Sequence, residues 1–169
     1  GFLLFLDQFN YQNHLPLHLC YLTELGIFLS LIFKTNIFYP WLVLNGLGGG
    51  ITGFINSNLP DNSLMIENIH LHLSHFNLLF FTMIVFKLKL VISKSSFVKS
   101  LFFNAGIFTF IVFFNIIFDS NYWFTMNKPH GKNLAILFPD WPFYLIGLIV
   151  IGLTSYYLTF KLFSKKTFQ

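Results

Sequence analysis

Five apolar stretches, at residues 15–33, 40–55, 69–86, 98–118 and 141–163, fill most of this chain. Each is close to the roughly 20 residues that a helix needs to cross the hydrocarbon core of a bilayer. No water is available there to bond the backbone, so each stretch must satisfy its own N–H and C=O groups, as a helix does. Little is left to cover a water-facing surface. Only 9% of the 169 residues are charged, against about 25% in a soluble globular protein. This excludes an ordinary soluble enzyme, a disordered chain and a nucleic-acid-binding domain. The pattern predicts an all-α fold, a polytopic transmembrane helix bundle of five spans forming one domain over residues 1–169. The chain begins at Gly1, and the apolar run over residues 1–6 is too short to span. It reads as the last turns of a sixth helix preceding the chain.

The basic residues are all lysine, and their placement orients the bundle. Lys34, Lys87, Lys89, Lys94, Lys99, Lys161, Lys165 and Lys166 fall on one side of the predicted spans, and only Lys128 and Lys132 on the other. The positive-inside rule puts the larger group in the cytoplasm. The expectation is a multi-pass protein of the cell membrane with a cytoplasmic C-terminus, whose first span enters from outside. Tyr39, Trp41, Tyr122, Trp123, Trp141 and Tyr144 fall near span ends, as an aromatic belt would. Pro16, Pro40 and Pro142 suit first helical turns, where a missing N–H costs nothing, and Asp140 suits an N-cap. The run Asn56-Ser57-Asn58-Leu59-Pro60-Asp61-Asn62 is a break.

Polar groups at membrane depth are costly, so they are the informative ones. His18 and Cys20 follow the start of the first span, and His72 and His75 the start of the third. At 1.5 Å per residue both sets lie roughly 5–9 Å below the outer face. Thr52 and Asn115 fall in the same half. Cys20 and Glu24, four apart, share a helix face, as do His72 and His75, three apart. Glu24 is deeper and needs a partner, one of the histidines being the candidate. Gly46 and Gly50, and Gly49 and Gly53, form GxxxG pairs that permit close helix packing or line a substrate groove. Imidazoles at His14, His18, His72 and His75 have the chemistry of metal ligands, but no HExxH motif occurs, so neither a metal nor a cofactor is expected. The single cysteine cannot form an internal disulfide; Cys20 is either an inert buried thiol or a reactive one.

Leu15-Pro16-Leu17-His18-Leu19-Cys20, Gly46-Leu47-Gly48-Gly49, His75, Asn121-Tyr122, Lys128-Pro129 and Trp141-Pro142-Phe143-Tyr144 occur in that order. Together they resemble the YwaF-type integral membrane proteins, from about His14 to Tyr144. The chain departs from that pattern at Thr52, where Gln is usual, and at Asn56-Ser57-Asn58, where Thr-Pro-Asp is usual. Members of that family have about six helices. An animal relative is regarded as a phospholipid acyltransferase using a cysteine in the matching position. The resemblance therefore implies that Cys20 is an acyl-carrying nucleophile working in the outer leaflet half on membrane lipids.

A thiolate is the reactive form of cysteine, so Cys20 needs a base. His75 is the first choice, with Asn115 to orient the base or to donate to an oxyanion. His18, Glu24, Gly49, Thr52 and His72 are the expected substrate-binding residues. The alternative is a non-catalytic subunit of a larger membrane assembly, with protein partners docked on the helices or on the loop over residues 119–140. A third reading is a small transporter or cofactor carrier. No nucleic-acid partner is expected, because the chain lacks the arginine forks that read phosphates.

Overall fold

The computed structural model describes residues 9–12, 14–55, 64–129 and 133–164. Five helices carry the fold: α1 (Leu19–Ile32), α2 (Tyr39–Ile55), α3 (Met65–Lys87), α4 (Lys94–Phe118) and α5 (Phe143–Leu162). Two short 3-10 turns, Tyr122–Phe124 and Leu134–Leu137, sit between α4 and α5. Among the described residues there is no strand.

Among the described residues three helices, α3, α4 and α5, are long and apolar enough to cross a membrane. The apolar helix α1 has 14 residues, about 21 Å of rise against a hydrocarbon core of about 30 Å. Its expected start near residue 15 is not helical. Pro16 removes a backbone donor and restricts Leu15, and the Leu15 N–H is bound instead by the Tyr122 hydroxyl at 2.9 Å. The proposed leading helix and the break at residues 56–62 lie outside the described residues, as do His130, Lys132, Lys165 and Lys166.

The bundle is arranged for lipid. On α4 the buried residues are Ser100, Ile111 and Asn115, while Phe102, Phe113, Ile116 and Ile117 are exposed. A helix that buries its polar side chains and exposes its phenylalanines is stable only in an apolar solvent. The centre belongs to α2, which packs against all four other helices. Residues 40–46 are buried without a break, as expected of a helix surrounded on every side. Gly46 and Gly50 allow this, since a side chain at either would press on Leu78 or Leu79 of α3. One polar bond ties α5 to this centre: the Tyr156 hydroxyl donates to Asn45 Oδ1 at 2.6 Å.

One end of the bundle is closed by the connection between α4 and α5. The buried Asn115 amide organises it. Asn115 Nδ2 donates to the Tyr122 carbonyl at 2.7 Å and to Thr125 Oγ1 at 2.8 Å. Its Oδ1 accepts from Ser120 Oγ at 2.9 Å and from the Tyr122 N–H at 3.0 Å. Backbone at Trp123 (φ 58) and Phe124 (φ 55) is left-handed, a conformation that side chains adopt only when the surroundings dictate it. The loop in turn grips the chain leading into α1. The Tyr122 hydroxyl donates to the Tyr11 carbonyl at 2.7 Å, and Trp123 Nε1 donates to the Leu17 carbonyl at 2.8 Å. Burial pushes the Tyr122 phenol up from its ordinary range, so it keeps the proton it donates. Asp140 does not serve as the expected side-chain cap of α5; Pro142 holds the N-cap position, and the Asp140 carboxylate lies 3.0 Å from Lys128 Nζ.

Candidate active site

Cys20 is the second residue of α1, and His75 lies in the middle of α3. Packing of α1 against α3 brings Cys20 Sγ and His75 Nε2 to 3.2 Å. The other ring nitrogen, Nδ1, is 2.6 Å from the Leu71 carbonyl. A carbonyl only accepts, so Nδ1 carries the proton and Nε2 presents a lone pair to the thiol. This is the tautomer that a base for Cys20 requires.

The glycines of α2 seat the pair. The His75 imidazole lies on Gly53, where any side chain would occupy the space of the ring, and Gly49 faces Cys20 across an ordinary van der Waals gap. Close packing is the role the geometry gives this stretch, since Gly46, Gly50 and Gly53 all sit tightly against α3. Gly46 and Gly50 pack against α3, while Gly49 and Gly53 face the thiol and imidazole.

Glu24 sits one turn below Cys20 on α1. It is held by α3 rather than by a histidine: Ser74 Oγ donates to Oε2, and Asn77 Nδ2 donates to Oε1 at 3.0 Å. Neither partner is singled out in the sequence reading, although Ser74 and Asn77 are three apart and so share a face of α3.

Cys20, His75, Glu24, His18, Gly49 and Thr52 line one cavity of about 2030 Å³. This exceeds the roughly 300–1,000 Å³ of ordinary small-ligand sites. The cavity runs over α2 between α1, α4 and α5, and the end under the α4–α5 connection is rimmed by Asn121, Trp123 and Lys128. His18 holds the N-cap position of α1 and lies between Tyr122, met edge-on, and Phe124, tilted against it, at ring-centroid distances of 5.1 and 5.2 Å. Thr52 turns its hydroxyl back to the Gly48 and Gly49 carbonyls. Lys128 Nζ donates to the Phe138 carbonyl at 2.9 Å.

Two expected site residues lie elsewhere. Asn115 is not among the cavity-lining residues; both of its amide donors and its oxygen are engaged by the α4–α5 connection. His72 is exposed and bonds the Asn68 carbonyl of its own helix at 2.8 Å. His14 is drawn to Glu67, at 3.8 Å, rather than into a cluster with His72 and His75.

The chain matches the sequence model of the TMEM164 family over residues 2–160. It belongs to the TMEM164 family. No curated protein and no solved structure matches the chain. The TMEM164 match takes in Cys20, Glu24, His75 and the α4–α5 connection together, so the residues that assemble this site fall within the region that defines the family. The protein is accordingly an integral membrane protein in contact with membrane lipids.

Proposed function

We propose that this TMEM164-family protein is a lipid acyltransferase that carries the acyl group as a thioester on Cys20, in the outer half of a five-span bundle with a cytoplasmic C-terminus. The observation that carries the reading is the 3.2 Å approach of Cys20 Sγ to His75 Nε2 on the wall of an intramembrane cavity. A thiol with a correctly oriented base is an activated nucleophile.

In the first half-reaction the thiol proton passes to His75 Nε2, and Sγ bonds to the carbonyl carbon of a lipid ester. The ester C–O bond breaks, and the departing lipid oxygen takes the proton back from Nε2. The Leu71 carbonyl, 2.6 Å from Nδ1, supports the imidazolium formed between these events. The second half-reaction is the reverse, with the hydroxyl of an acceptor lipid giving its proton to Nε2 and its oxygen bonding to the acyl carbon. Negative charge builds on the carbonyl oxygen each time. Cys20 lies in the first turn of α1, where the leading N–H groups have no partner within the helix. They supply the oxyanion donors that Asn115 does not.

Protein reconstituted in vesicles of phosphatidylcholine with an isotopically labelled acyl chain, plus an unlabelled lysophospholipid, is expected to move label to the lyso acceptor. Lipid analysis by mass spectrometry reads the product. Label remaining wholly in the donor, with lysophosphatidylcholine and lysophosphatidylethanolamine each offered as acceptor, would overturn the reading.

A further inference from the structure

The cavity that holds Cys20 has a positive pole. Lys128 is the only lysine among the residues that line it, and the chain has no arginine. Both carboxylates on the cavity wall are engaged at α3. Glu24 is held by Ser74 and Asn77, and Glu67 by the Leu64 N–H at 2.8 Å, with His14 at 3.8 Å.

The connection between α4 and α5 fixes Lys128 in place. Asn121 Oδ1 accepts the Met126 and Asn127 N–H groups, both at 3.0 Å, and Asn121 Nδ2 donates to the Asn127 carbonyl at 2.9 Å. The loop is thereby clamped up to the residue before Lys128. The same loop rests on the approach to Cys20: Trp123 Nε1 donates to the Leu17 carbonyl, and the Phe124 ring meets His18. It joins the ends of two helices able to span a membrane. It therefore lies at a membrane face, the level of lipid phosphates rather than of lipid chains.

An ammonium has three N–H donors. The Phe138 carbonyl takes one at 2.9 Å and the Asp140 carboxylate a second at 3.0 Å, which leaves one for the cavity. Asp140 is the exchangeable partner. Its side chain is 96% exposed, and an ion pair so open to water is weak. A phosphate oxygen arriving in the cavity competes with it for the same ammonium.

We propose that Lys128 binds the phosphate of the glycerophospholipid whose ester carbonyl lies at Cys20. Phosphate and ester hang from one glycerol unit, so the loop ammonium and the thiol engage a single molecule. The site then prefers phospholipids to neutral glycerides, and Asp140 competes for Lys128 rather than supporting it. The proposal rests on the acyl-carrier reading of Cys20, to which it adds the headgroup contact.

The test is binding of two fluorescent lipids with identical chains, a phosphatidylcholine and a diacylglycerol, to Cys20→Ser protein in detergent. The ratio of the two Kd values measures the phospholipid preference. Adding Lys128→Gln is expected to lower the preference about tenfold, the scale of one hydrogen bond to a charged group, and adding Lys128→Arg to retain it. Adding Asp140→Asn is expected to raise it about two- to fivefold, the worth of an exposed ion pair. A preference unchanged by Lys128→Gln would overturn the proposal. So would a preference lowered by Asp140→Asn, the result if the pair merely braced the loop. Should Lys128→Gln fail to fold, Asp140→Asn decides alone, and an unchanged preference there overturns the proposal. Radiolabelled inorganic phosphate is offered to the same proteins; its retention through Lys128 would make this a site for free phosphate and overturn the lipid assignment. None of these readouts uses chemistry at the thiol. A Lys128-dependent preference, with no adduct ever formed on wild-type Cys20, would keep the headgroup site and sink the acyltransferase reading alone.

Discussion

Cys20→Ser is expected to insert and pack as the wild type does and to lose acyl transfer by roughly 10⁴-fold or more, the scale on which loss of a nucleophile acts in other paired sites. The substitution is close to isosteric. The neighbour opposite is Gly49, in ordinary contact, so little packing is disturbed. What changes is the acid to be deprotonated: a hydroxyl holds its proton far more tightly than a thiol, and His75 Nε2 is matched to the thiol. The check is the vesicle assay together with the thermal transition in detergent. Transfer retained at the wild-type rate would remove Cys20 from the chemistry. A collapsed transition would be a folding effect, and Cys20→Ala would then serve as the comparison.

His75→Ala is expected to slow acylation of Cys20 by about 10²–10⁴-fold, the usual contribution of a general base, without weakening lipid binding. The imidazole touches the thiol, the Leu71 carbonyl and Gly53, whereas the lipid would lie along the length of the cavity. The measurement is a single-turnover rate of Cys20 labelling by an activated acyl donor, beside a binding curve for a fluorescent phosphatidylcholine. Normal labelling would dismiss His75 as the base. Equal losses in labelling and in binding would assign it a structural part instead.

The sequence made some of this site legible and hid the rest, for identifiable reasons. Depth was readable. Cys20 and His75 each follow the start of a helix entering from the same face, and the helical rise puts them at one level. Facing was less so. The buried face of α3 is Leu71, Ser74, His75, Leu78, Thr82 and Val85, a 3.6-residue repeat that includes His75 and passes over His72. Spacing alone placed both imidazoles on one side, because the direction of the neighbouring helices is not encoded in α3. Asn115 was unreadable in a different way. A buried amide at membrane depth marks a polar requirement, but the requirement may be a substrate or a loop. Here the loop over residues 119–129 folds back and consumes all of it. The start of α1 shifted for a related reason, since the aromatic side chains of that loop bind Tyr11, Leu15 and Leu17 ahead of the helix. The partners of Glu24 were open to a finer reading, because Ser74 and Asn77 share its level and lie three apart on the inner side of α3.

The most direct test of a covalent acyl carrier is the intact mass of the protein purified from its native membrane, before and after neutral hydroxylamine. A thioester is cleaved under those conditions and an amide is not. The account predicts an adduct of fatty-acyl mass that maps to Cys20, disappears with hydroxylamine and is absent from Cys20→Ser. An unmodified wild-type mass, unchanged even after the protein is trapped with an acyl donor in the absence of acceptor, would contradict it.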